Sequence, residues 1–284
     1  MRAIAKSIFD ICLAVEKNIA GLSEIDSRLW AKANTIRHSH VIKAIIDYAA
    51  KTNKRKLRIL NASGISCGHQ DFSIVSYLRE KAAIAVDWTV FESPHNLHLK
   101  NEFFTRSVED LKIDLRLSDF SKSTELYGEG AKEYDLVIFS EIAEHMDHSV
   151  LLKSLIAVRR KVKEDGIVIV TTPNLLKIAN RIRLLFGNAA APYWGEGMQN
   201  LNKGLYGHIT YYDLNRLKRL LADVGLSVEY AYTYNYGRGS RERHPAKYIL
   251  FKCSDIISLL FKGGRDNLFI VARRATPKEI PFET

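Results

Sequence analysis

Residues able to bind a nucleoside or move a proton recur in this sequence directly after short apolar runs. Residues 57–60, Leu-Arg-Ile-Leu, lead into Asn61, Ala62, Ser63 and Gly64, then Ile65, Ser66, Cys67 and Gly68. Glycine and serine there permit a tight turn and close approach of a ligand to the backbone, beside a helix start that favours negative charge. Residues 88–91 end in Glu92, a carboxylate placed to accept hydrogen bonds from ribose hydroxyls. Residues 113–117 end in Ser118, Asp119 and Phe120, an acceptor for an exocyclic amine beside an aromatic wall for a purine. The strongly apolar run 134–139 is followed by Ser140, Glu141, Ile142, Ala143, Glu144 and His145. Histidine titrates near neutrality, so His145 suits a general base, with Glu141 or Glu144 to orient it. A second imidazole, His208, follows a long segment and is a further candidate base. Singly, each residue has an ordinary explanation as a surface carboxylate, a turn aspartate or a helix cap. Together they place a nucleoside-bearing ligand across successive strand ends.

The elements that must position these residues alternate. Residues 1–53 carry apolar positions at helical spacing, Ile4, Ile8 and Ile11 and then Val41, Ile42, Ile45 and Ile46, and read as a helical extension. After the polar boundary 51–56, short β-like runs at 57–60, 88–91, 113–117, 134–139 and 167–171 are separated by helical stretches at 71–81 and 149–162. Glu144 and His145 are expected to begin a helix. A helix over 213–224 stops at Gly225, and strands at 226–232 and 267–271 complete the pattern. Strands separated by helices predict an α/β fold, a Rossmann-like, mainly parallel sheet with helices on both faces. The last two strands are expected to form an antiparallel pair at one edge. Ligands of such sheets bind outside the carboxyl ends of the strands, where strand order reverses.

The run 134–145 resembles the fourth-strand motif of class I S-adenosylmethionine-dependent methyltransferases. Residues 162–174 resemble that family's fifth-strand region, and residues 207–214, followed by Leu217, Leu220, Leu221, Gly225 and Leu226, resemble its later segment. The three stand in the family's order, and the similarity spans roughly residues 57–274. It implies a methyltransferase domain over 54–284, with a lid at 175–207 and an insertion at 239–265 before the last strand. It further implies S-adenosylmethionine held by Asn61, Ser63, Gly64, Ser66, Gly68, Glu92, Asp119, Phe120, Ser140 and Glu141. The branch it resembles methylates sugars, glycans and small metabolites, so the expected activity is O-methylation of a sugar, glycan or nucleotide-sugar-type acceptor, with His145 and His208 catalytic. The first motif departs from the family, because Asn61 stands at a usually acidic position and only Gly64 and Gly68 remain of its glycines. That departure supports a rival reading, a non-catalytic binding module.

Composition narrows the remaining classes. The chain has 284 residues, 46% of them hydrophobic, which is enough for a packed core. Charged residues interrupt every apolar stretch before the roughly 18 residues that a membrane span requires. The first ten residues lack the pattern of a cleaved leader, so a cytoplasmic protein is expected. Three widely spaced cysteines give neither a disulfide framework nor a zinc site, and no metal-ligand spacing is visible. The net charge of +10 would attract nucleic acid, and an RNA methyltransferase rests on that charge alone. Residues 248–261, rich in Ile, Leu and Phe, are expected to be core or the face of a homodimer.

Overall fold

The computed structural model describes residues 1–19, 22–64, 68–92, 94, 96–117, 134–188, 208–235, 245–261 and 263–275. Two helices, α1 (Arg2–Asn18) and α2 (Glu24–Thr52), precede β1 (Lys56–Asn61). Then come α3 (His69–Glu80), β2 (Ala85–Glu92), α4 (Glu102–Asp110), β3 (Asp114–Leu117) and β4 (Tyr134–Ser140). The order continues with α5 (His148–Lys161), β5 (Val162–Pro173), α6 (Ile178–Leu185) and α7 (Leu214–Asp223). It closes with β6 (Leu226–Tyr234), α8 (Pro245–Leu260) and β7 (Asn267–Arg274).

The seven strands form one sheet in the order β3-β2-β1-β4-β5-β7-β6. Every pairing from β3 across to β5 is parallel, and β7 runs antiparallel to both β5 and β6. The expected antiparallel pair is therefore present, with β7 inserted between β5 and the edge strand β6. Alternation along the central strands gives the sheet two apolar faces. Ile59, Leu136, Ile138, Ile167 and Ile169 join Ile8, Ile42, Ile45 and Val75 of the first three helices on one face. Leu60, Val137, Phe139, Val168 and Val170 join Leu151, Leu155, Leu217 and Leu221 of α5 and α7 on the other. The sheet is thus covered on both sides, as parallel strands require.

Two boundaries differ from the sequence reading. β5 starts at Val162 rather than near Gly166, because Val162 still pairs with Tyr134 ahead of the polar triplet 163–165. Glu144 and His145 do not open α5 but form a separate 3-10 turn, Ala143–His145. The helix begins later because the Asp147 carboxylate accepts the Val150 amide at 2.9 Å and fixes the N-cap there. Among the described residues, no helix is long and apolar enough to cross a membrane.

Candidate active site

β1 and β4 are neighbours whose following chain segments depart towards opposite sides of β1, which opens a crevice at their carboxyl ends. The turn after β1 is built from inside. Asn61 is fully buried, and its carbonyl accepts the Ser63 amide at 3.0 Å. Its amide donates to Gly64 O at 3.2 Å and to Asp71 Oδ1 at 2.8 Å. The Trp88 indole donates to the same Asp71 oxygen at 2.7 Å. Burial pushes the Asp71 carboxyl up to about 7, against the hydrogen bonds from Asn61 and Trp88. Asp71, at the start of α3, thus ties the turn to α3 and, through Trp88, to β2. Asn61 holds the turn from inside.

Gly64 and Gly68 have φ of +81° and +86°, where only glycine sits without strain. A side chain on Gly64 would lie 3.0 Å from Glu92 Oε2, so the Glu92 carboxylate rests against the turn backbone. A side chain on Gly68 would collide with the Phe72 ring at 2.4 Å. The Ser63 hydroxyl ties the turn to β4, accepting the Ser140 amide at 2.5 Å and donating to Ile138 O at 3.4 Å. Ser66, Asp119 and Phe120 lie outside the described residues.

The end of β4 is strained and densely bonded. Glu141 has φ of +54°, and its amide donates to Thr171 O at 2.8 Å. Its Oε1 accepts from the Thr171 hydroxyl at 2.9 Å and from the Asn267 amide at 3.2 Å. Ser140 shares a hydroxyl pair with Thr171 at 2.7 Å and faces β5. Glu144 is buried, and one of its oxygens accepts the Thr172 hydroxyl at 2.8 Å. Burial, followed by the nearby Glu141 charge, holds its carboxyl well above the usual range. Its other oxygen lies 4.0 Å from His145 Nε2. The chain at 208–210 crosses over this turn, with the Ile209 and Thr210 amides donating to Glu144 O at 2.8 and 3.1 Å. This crossing brings His208 edge-on to His145, with ring centroids 4.9 Å apart, and Tyr211 flanks His208 at 5.6 Å. Of the proposed lid, residues 189–207 lie outside the described residues.

Sequence reasoning missed Arg37. It projects from α2, and its guanidinium pairs with Glu141 Oε2 at 3.3 Å, donates to Asn34 Oδ1 at 2.6 Å, and lies 3.4 Å from His69 Nε2. The helical extension therefore reaches both the β1 turn and the end of β4. Arg37 Nε is buried without a hydrogen-bond partner. One arginine in a long polar helix carries no local signal. Thr35, His38 and Ser39 beside it are buried too, an inward polar face that apolar periodicity does not report.

Residues 34–231 match a family model described as a methyltransferase domain. The chain belongs to this methyltransferase family. The match starts inside α2 and ends within β6, so it includes Arg37, the ends of β1, β2 and β4, and His208. Among solved structures, the methyltransferase domain is similar in fold to an S-adenosylmethionine-dependent methyltransferase from Clostridium acetobutylicum. The identity is 12%, with 83% of this chain and 91% of that chain covered and a TM-score of 0.52. The pyocyanin biosynthetic protein PhzM is 14% identical over 81% of this chain and 54% of its own, with a TM-score of 0.47. Human N-acetylserotonin methyltransferase, solved in complex with SAM, is 15% identical over 93% of this chain and 58% of its own, at 0.49. The chain thus spans little more than half the length of these last two proteins. No curated protein matches the sequence.

Proposed function

We propose that this methyltransferase transfers the methyl group of S-adenosylmethionine to a hydroxyl of a sugar, glycan or nucleotide-sugar-type acceptor. One observation carries the reading. The Glu92–Gly64 contact and the Glu144, His145 and His208 cluster lie at carboxyl ends of strands flanking the point where strand order reverses.

The crevice fits S-adenosylmethionine as cofactor. Glu92, only 8% exposed, offers a carboxylate to ribose hydroxyls, and Gly64 keeps the backbone open beside it. The Arg37 guanidinium, with its unpartnered buried Nε, offers a positive charge to the methionyl carboxylate. Bound there, the cofactor supplies a methyl group on a positively charged sulfur, already activated for in-line displacement. The chain's own contribution is orientation, exclusion of water and removal of the acceptor's proton. His145, 31% exposed in side chain, takes that proton as the new oxygen–carbon bond forms. Glu144 and His208 fix its ring, and polar His208 and Tyr211 suit a hydroxyl-bearing acceptor better than a flat apolar one.

Single-turnover methyl transfer tests these roles. His145→Gln is expected to lose about 10²–10⁴-fold in rate at unchanged cofactor affinity. His208→Gln is expected to act mainly on acceptor KM. Near-wild-type rates in both folded variants would remove the imidazoles from the reaction.

A further inference from the structure

One carboxylate oxygen of Glu144 and one ring nitrogen each of His145 and His208 all lie within 4.8 Å of one another. The two histidines are distant in sequence, and only the crossing of residues 208–210 over the 3-10 turn unites them. We propose that these three side chains form a binding site for one divalent transition-metal cation, open to the acceptor. The proposal rests on the reading of this crevice as the acceptor site, and a bound cation takes over from His145 the activation of the hydroxyl.

The ligand chemistry is specific. Two imidazoles and one carboxylate favour zinc, iron, cobalt or manganese over magnesium and calcium, which prefer all-oxygen shells. A tetrahedral cation with bonds of about 2.1 Å needs its donors about 3.4 Å apart. The 4.0 Å gap between His145 Nε2 and Glu144 Oε1 therefore closes by less than an ångström, within reach of rotation of the partly exposed His145 ring. Glu144 is already oriented as a ligand. Thr172 donates to one of its oxygens at 2.8 Å and leaves the other directed at His145. Its backbone carbonyl is held by the Ile209 and Thr210 amides, which fixes the spacing to His208. Such outer hydrogen bonds orient ligands at metal sites. Three protein ligands leave a position for an exchangeable oxygen, the arrangement of reactive rather than structural sites.

The chemistry balances without an added reactant. An acceptor hydroxyl in the open position loses its proton to solvent water more readily on the cation. Its oxygen lone pair then forms the new bond to the methyl carbon, and the carbon–sulfur pair remains on sulfur. With the cation present, the imidazoles serve as ligands, and the cation replaces His145 in activating the hydroxyl.

The test uses Co²⁺ with the metal-free full chain, followed by calorimetry and visible absorption. One equivalent is expected to bind, with the absorption bands of nitrogen and oxygen ligation. His145→Ala and His208→Ala are each expected to weaken it at least about 100-fold, and Cys253→Ser, which removes an exposed thiol, to leave it unchanged. In the wild-type chain, Mn²⁺ is expected to broaden the imidazole proton resonances of these two histidines before any others, a measurement that depends on no variant folding. Absence of saturable binding, binding lost in Cys253→Ser, or broadening centred on other histidines would overturn the site. Titration of the metal-free chain with S-adenosylhomocysteine reports the cofactor site separately. A lost cation site with intact S-adenosylhomocysteine binding contradicts this inference alone, whereas loss of both contradicts the methyltransferase reading as well.

Discussion

At Gly64 the backbone conformation and the carboxylate of Glu92 constrain one another. A methyl group there would be strained by φ of +81° and would press on Glu92 Oε2. Gly64→Ala is therefore expected to cost about 1–2 kcal/mol in stability from the left-handed backbone. Displacement of Glu92 should weaken S-adenosylhomocysteine binding at least about 10-fold, the low end for a lost charge-assisted hydrogen bond. Unchanged affinity by calorimetry would separate Glu92 from the cofactor. That Glu92 and His145 stand at strand ends was legible in the sequence, because each follows an apolar run. The structural part of Asn61 was not legible: its amide bonds Asp71 of the next helix, a contact across ten residues that no local pattern reports. Asp71→Ala is expected to destabilise by about 2–4 kcal/mol, because it leaves the Asn61 amide and Trp88 indole buried without their acceptor. A change below 1 kcal/mol in chemical denaturation would show that water or a shifted turn satisfies both donors.

The elements themselves were largely readable, because apolar runs and helical spacing report burial directly. The ends of elements were less so. α5 begins at His148 under the Asp147 cap, and that delay leaves Glu144 and His145 in a turn of their own. A four-residue shift of this kind is invisible to periodicity, yet it decides that Glu144 is buried against Thr172 rather than exposed on a helix. Asp147→Ala is expected to cost about 1 kcal/mol through loss of the Val150 hydrogen bond. Methyl transfer should fall by more than this stability loss predicts, because the turn carrying His145 loses its fixed boundary. Wild-type single-turnover rates in the folded variant would show that the crossing residues 208–210 alone hold the turn.

On the scale of the whole molecule, α2 is packed against the sheet through buried histidines rather than an apolar stripe alone. His40 hydrogen-bonds with the Tyr232 hydroxyl at 2.7 Å, and burial lowers its pKa to about 4. His38 and His69 stack and are likewise held neutral by burial. An unfolded His40 takes up a proton below about 6.5 that the folded chain refuses until about 4. Its contribution is full above that window and is lost as pH falls through it. Asp71, raised to about 7, has the opposite sign and flattens the total curve. Comparison with His40→Gln isolates the term: from pH 7 to pH 5 the wild type should lose about 2 kcal/mol more than the variant. Equal losses would place His40 in contact with solvent. The same helix carries Arg37 to Glu141 at the end of β4, so the extension is joined to the sheet beside the proposed cofactor site. Calorimetric titration of the full chain with S-adenosylhomocysteine tests this account most directly, with Glu92→Ala alongside. The account predicts one site of micromolar affinity in the wild type, weakened about 10–100-fold in Glu92→Ala, the equivalent of 1.5–3 kcal/mol for a hydrogen bond to a charged group. Absence of binding to the folded wild type, or equal affinity in the two proteins, would contradict it.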